Sequence, residues 1–283
     1  MRKIKLSFFA LPLFGLLISG CELPEEISKL INGNETSENG SENGSGQKED
    51  NGAQNNELTG IDKVVKIVVD DLSSDNISYD MHMEASGENF TSITDETLEI
   101  AGNKYHVSYT STDGKNTYSS DIYYETIDGK NYMYQKQGND WVKQEIPYSV
   151  SFNYGSSQFG FVELLNAFKA KYTVTEDGYY YATDLELEVS AQALLETAAS
   201  TGDYSAYTLT QETVTFSYEY LKIGIANEHI SLFETKGSGI TLETNEEQKT
   251  VTFVPIEGRS AVTKLHNFRN FGTTVITLPQ VAQ

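Results

Sequence analysis

The stretch YSSDIYYETIDGKNYMYQK, residues 118–136, carries two strand-like runs on either side of an Asp128-Gly129-Lys130-Asn131 turn. Glycine tolerates the positive φ that a tight hairpin turn needs, so Tyr118 to Thr126 and Tyr132 to Lys136 read as antiparallel neighbours. The same tetrapeptide recurs as Asp113-Gly114-Lys115-Asn116, and Ala101-Gly102-Asn103 and Gly138-Asn139-Asp140 punctuate the flanks. Upstream, Ile77, Tyr79, Met81 and Met83 alternate with Ser78, Asp80, His82 and Glu84, the period of a strand with one buried face. Leu98 to Ile100 and Tyr105 to Tyr109 continue the style. A run of hairpins predicts a meandering antiparallel sheet.

Helical spacing enters at three places. Ile61, Val64, Val65, Val68 and Leu72 form one apolar face and predict a leading helix, which Asp70, Asp71 and Ser73 to Asp75 interrupt. Phe161, Val162, Leu164, Leu165 and Phe168 predict a second helix of about ten residues. Ala191 to Ala199, with Ser190 as N-cap, predicts a third, although its start reads equally as the end of the preceding strand. Further strands are expected at 172–175, 179–189, 207–211, 213–222, 230–235, 239–244, 250–255 and 273–278, with Gly237-Ser238-Gly239 as a turn. The expected fold class is α+β, a large curved antiparallel sheet of about 11 strands with an N-terminal helix and one or two inserted helices.

The first 60 residues differ in kind. Arg2, Lys3 and Lys5 precede an apolar run from Leu6 to Ile18, and Ser19-Gly20-Cys21 follows. That order is a secretory signal, and its ending resembles a bacterial lipobox, in which the cysteine is acylated and becomes the first residue of the mature chain. The apolar run is too short to span a bilayer, so a lipid such as palmitate on Cys21 is the expected anchor. The expected location is the outer face of the bacterial cytoplasmic membrane, in the cell envelope. From about Asn32 to Glu57 the chain is Asn, Gly, Ser and Glu with a repeated Ser-Glu-Asn-Gly, a composition that cannot repay its ordering entropy and reads as a flexible tether. The expected organisation is therefore a signal peptide over 1–20, a lipidated N-terminus and tether over 21–58, and a β-rich domain over 59–283.

Charge and chemistry narrow the function classes. Removing residues 1–20 takes away three basic residues and no acidic one, which leaves 17 basic against 41 acidic, net −24. Such a surface repels nucleic acid and anionic headgroups. With the single cysteine acylated, no disulfide is expected. The four histidines form no metal-binding helical pair. His82 and Glu84 share a strand face, an arrangement that suits a metal or, more plainly, a solvated polar pair. No nucleophile elbow or phosphate-cradling glycine loop appears, so no enzyme activity, no cofactor and no metal are expected.

The domain resembles the LolA-like superfamily in its lipid-anchored forms, the LppX and LprG type of lipoprotein. The likeness covers roughly residues 60–280. It rests on the leading helix and first strand (Val64 to Met83), on the hairpin Ile127 to Tyr134 with Trp141-Val142-Lys143, and on Phe268 to Gly272 with Val275 to Pro279. The soluble carrier of that superfamily lacks a lipid anchor, and here the sequence departs from it. The resemblance implies a half-open β-barrel with helices over its concave face and an apolar cavity for a lipid or an acylated protein. Tyr79, Met81, Met83, Phe152, Tyr154, Phe161, Leu164, Leu165 and Phe168 are then the candidate ligand-binding residues. The strand residues among them read equally as ordinary core. The aromatic loop from Tyr148 to Phe159 reads equally as a lid, a docking patch or the irregular edge of the core. The expected partners are the membrane, through Cys21, and a lipid or lipoprotein ligand, and the expected state is a monomer. The alternative is a filled, lipid-free scaffold that acts in recognition or envelope sensing through its surface.

Overall fold

The computed structural model describes residues 6–9, 60–87, 90–146, 160–198, 204 and 206–281. The chain from residue 60 begins with helix α1 (Ile61–Leu72). A six-strand meander follows: β2 (Asn76–Gly87), β3 (Phe90–Ala101), β4 (Lys104–Thr112), β5 (Thr117–Ile127), β6 (Lys130–Gln137) and β7 (Asp140–Ile146). Then come α2 (Phe161–Lys171), β8 (Thr173–Val174), β9 (Tyr180–Ser190), α3 (Ala191–Ala198) and β10 (Thr208–Leu209). Three long strands complete the sheet: β11 (Thr213–Ala226), β12 (His229–Asn245) and β13 (Thr250–Arg269). A four-residue strand, β1 (Leu6–Phe9), pairs with β12. The sheet runs β7-β6-β5-β4-β3-β2-β13-β12-β11-β9-β8, and its two ends do not pair with each other. It is a curved, open antiparallel sheet with a few helices, an α+β fold.

Turn chemistry sets the meander. Asp128 and Gly129 both take positive φ, at 49° and 75°, the signature of a two-residue type I′ hairpin. The identical tetrapeptide at 113–116 folds differently. Only Gly114 has positive φ, and the Asp113 carboxylate accepts the backbone N–H groups of Lys115 and Asn116 at 2.9 and 2.8 Å. There the tetrapeptide is the whole four-residue loop between β4 and β5.

Two expectations are corrected. Gly237-Ser238-Gly239 lies inside β12 rather than in a turn. A register shift against β13 falls between Ser238 and Ile240, and the glycines let one long strand bend there. Residues 273–278 are not a strand. Both edges of β2 are already occupied, by β3 and β13, so the tail has no free edge there to join. It instead pins itself to the start of β2: the Gly272 N–H donates to the Asn76 carbonyl at 2.9 Å, and the Thr274 N–H to the Asn76 side chain at 2.7 Å.

The three expected helices form where their periodicity places them. Val64, Val65, Val68, Val69 and Leu72 of α1 are buried, as are Phe161, Leu164, Leu165 and Phe168 of α2. The helix α3 is capped by Ser190, whose hydroxyl accepts the Ala193 N–H at 3.4 Å. Near its start α1 is tied to the β11–β12 turn by Lys63 and Glu228, 3.1 Å apart. Near its end the buried Asp71 accepts the Ile230 N–H at 2.8 Å. The helix therefore sits at the end of the sheet where β2 and β12 begin and β13 finishes.

The pairing of β13 with β2 joins the meander to the β9–β12 half. Asn267 sits at a bulge with φ 53°, which sends its side chain outward and Phe268 inward against Tyr79, ring centroids 5.3 Å apart. On the outer face Asp80 accepts from Asn267 at 2.6 Å and from Thr97 of β3 at 3.0 Å, and it pairs with Arg269 at 3.1 Å. Burial alone would raise this carboxyl. The hydrogen bonds from Asn267 and Thr97 and the Arg269 guanidinium overcome it and hold the group below its ordinary 3.8. Asp80→Ala should lower unfolding free energy by about 1–3 kcal/mol at neutral pH in urea titration. A depressed carboxyl contributes above its unfolded-state pKa and loses that contribution as pH falls, so the wild-type advantage should shrink below about pH 4.

Candidate functional site

Strand register assigns every side chain of β2–β6 to one of two faces. The outer face carries the charges of these strands, several of them paired with each other. His106 lies between Glu99 and Asp121, at 2.7 and 2.6 Å, and stacks on Tyr123. His82 bonds Asp95 at 2.7 Å, while Glu84 stays exposed. Among the described residues no cluster of three His, Cys, Asp or Glu side chains has the arrangement of a metal site.

The inner face is graded along the strands. Its deepest row, at the α1 end, is Ile77–Ile100–Tyr105–Tyr124–Met133. The next is Tyr79–Leu98–Val107–Ile122. The third is Met81–Glu96–Tyr109–Ser120, and the outermost Met83–Thr94–Ser111–Tyr118. Successive rows are roughly 7 Å apart, two residues of strand rise. Apolar and aromatic residues thus give way to hydroxyls toward the far end, where Thr94 and Ser111 bond at 2.9 Å.

The layer of buried side chains is continuous from α1 and α2 through β9–β13 to Leu98, Val107 and Tyr124. Across β4–β6 it thins. Tyr105, Tyr109, Ile122 and Met133 are half-buried against the core, and Tyr118 at the rim is 57% exposed.

Of the residues singled out in the sequence, Tyr79, Met81 and Met83 lie on this inner face in consecutive rows, all of them buried. Phe161, Leu164, Leu165 and Phe168 join the same core from α2 and are fully enclosed, with Phe161 against Phe233 at 6.1 Å. Phe152, Tyr154 and Cys21 lie outside the described residues. A separate cleft of about 650 Å³ beside the β12–β13 turn is lined by Glu243, Asn245, Glu246 and Glu247, and its acidic wall does not suit an acyl chain.

Glu96 is the residue that sequence reading misses. It is the one charged side chain that register places on the inner face of β2–β5. It has no hydrogen-bond or ion-pair partner among the described residues, and burial pushes its carboxyl up to about 7. Counting back by twos from Ile100 and Leu98 reaches it, but the polar run Thr94-Asp95-Glu96-Thr97 conceals the strand.

No family model matches the chain, and no curated protein matches it.

Raising a carboxyl from 4.5 to about 7 makes the folded state bind a proton that the unfolded state has released between those values. Ionisation therefore costs stability as pH rises through that window. Glu96→Gln should be more stable than wild type at pH 8, by on the order of 1–3 kcal/mol, and the gain should vanish near about pH 4.5. Thermal unfolding of both proteins across pH checks this; a gain that is constant with pH would contradict it.

Proposed function

We propose that this protein is a lipid-anchored envelope protein whose inner sheet face binds or carries a lipid or an acylated ligand, without catalysis. The observation that carries the reading is the thinning of the core across β4–β6. Tyr105, Tyr109, Ile122 and Met133 offer half-buried apolar surface continuous with the core, on a sheet whose ends do not meet. A ligand laid against them removes apolar area from water at about 25 cal/mol per Å². Met81 and Met83 beside them are adaptable, which suits a guest without fixed shape. An open sheet with helices on one side also accords with a LolA-like half-barrel, and the lipobox-like Cys21 with an anchor at the outer face of the cytoplasmic membrane.

A surface-recognition role is the second reading, and one feature favours it. On the outer face of β5–β7, Tyr123 meets Trp141 edge-on at 5.4 Å, and Lys143 lies 4.0 Å over Tyr132. Aromatic side chains of this kind are typical anchors of protein interfaces.

The mature chain from residue 21, carrying Cys21→Ser so that no acyl group is attached, should retain a stoichiometric lipid. Native mass spectrometry followed by organic extraction detects it. Ile122→Asp should lower lipid occupancy by about tenfold or more while the circular dichroism spectrum is kept. An apo mass that takes up no added lipid would overturn the carrier reading. In cells, Cys21→Ser should move the protein from the membrane fraction to the soluble one.

A further inference from the structure

The lipid-binding reading of the inner face leaves Glu96 without a task, and its position supplies one. Directly opposite are Met81 on β2 and Tyr109 on β4, with Ser120 beyond on β5. Diagonal neighbours are Tyr79, Met83, Val107 and Ser111, and the β13 residues facing Met81 and Met83 are Leu265 and Thr263. Leu98 and Thr94 flank Glu96 on its own strand. None of these is cationic, and the titratable groups among them are two phenols, Tyr109 and Tyr79. On the outer face, by contrast, Asp80, Asp95, Glu99 and Asp121 all have partners. With no partner among the described residues, a carboxylate against methionine and leucine costs free energy unless a cation reaches it.

We propose that Glu96 is the headgroup-recognition residue of the inner face, and that the ligand is an amphiphile bearing an ammonium group. Its alkyl chain lies on the half-buried Tyr105, Ile122 and Met133, toward the α1 end of β4–β6. Its ammonium sits one row further out, paired with Glu96, and the hydroxyls of Tyr109, Thr94, Ser111 and Ser120 stand beside it as hydrogen-bond acceptors. An anionic head would meet the Glu96 charge at close range and the chain's net −21 at long range. Desolvation of the carboxyl, which destabilises the free protein near neutral pH, becomes compensated when the cation arrives.

The test uses the mature chain with Cys21→Ser and isothermal titration at pH 7.5 with decylamine, decanoate and decanol, three probes of one chain length. Decylamine should bind at least about tenfold tighter than decanoate. Glu96→Gln should bring the two within roughly threefold and leave decanol affinity unchanged. Equal binding of decylamine and decanoate in wild type would overturn ammonium recognition while the lipid-binding reading stands, provided decanol binds. A preference that survives Glu96→Gln would do the same. Failure of all three probes to bind would overturn both.

Discussion

The pairing of β13 with β2 holds this molecule together. Along the path from β7 to β8, every other neighbour relation joins strands close in sequence, across a turn or a short excursion. This one brings together the first strand of the meander and the last strand of the chain, Met81 opposite Leu265 and Ser86 opposite Ser260. Without it, β2–β7 would part from β8–β13, and the apolar face of the meander would lose the core that the other half and its helices supply. The loop-closure entropy of such a long-range contact must be met before any reward from burial. Asp80 reinforces it by drawing donors from β13 and β3 at once.

Division of labour between the two sheet faces follows from this. The outer face resolves its many charges locally, through His106 between two acids and His82 against Asp95. The inner face is therefore free to be apolar over most of its area, and helices need cover only part of it. One carboxyl breaks that pattern.

Much of the architecture is legible in the residues. The helical spacing of Ile61 to Leu72 is a local signal that the structure follows, and both Asp-Gly-Lys-Asn tetrapeptides mark hairpin loops, although their backbones differ. Where reading fails, the deciding information lies elsewhere in the chain. Gly237 and Gly239 look like a turn because nothing local says that β12 continues to Asn245 and bends against β13. Val275 and Ile276 look like strand residues because the sequence cannot show that β2 has both edges taken. Glu96 hides because its strand is polar at one end, and period-two alternation vanishes when both faces carry polar residues. Ile276 is nonetheless buried and Val275 is 84% exposed, so the tail alternates in burial without belonging to a sheet.

The fixing of α1 to the β11–β12 turn gives the domain a direction. The helix, the start of β2 and the pinned C-terminal tail all gather at one end, which is also the apolar end of the inner face. Residue 60, where the N-terminal segment joins the fold, belongs to that end. The hydroxyl-lined rim at Thr94, Ser111 and Tyr118 is at the other. The main body of the chain therefore enters the fold at the α1 end, while Leu6–Phe9 pair with β12 at Gly239–Leu242, toward the opposite end.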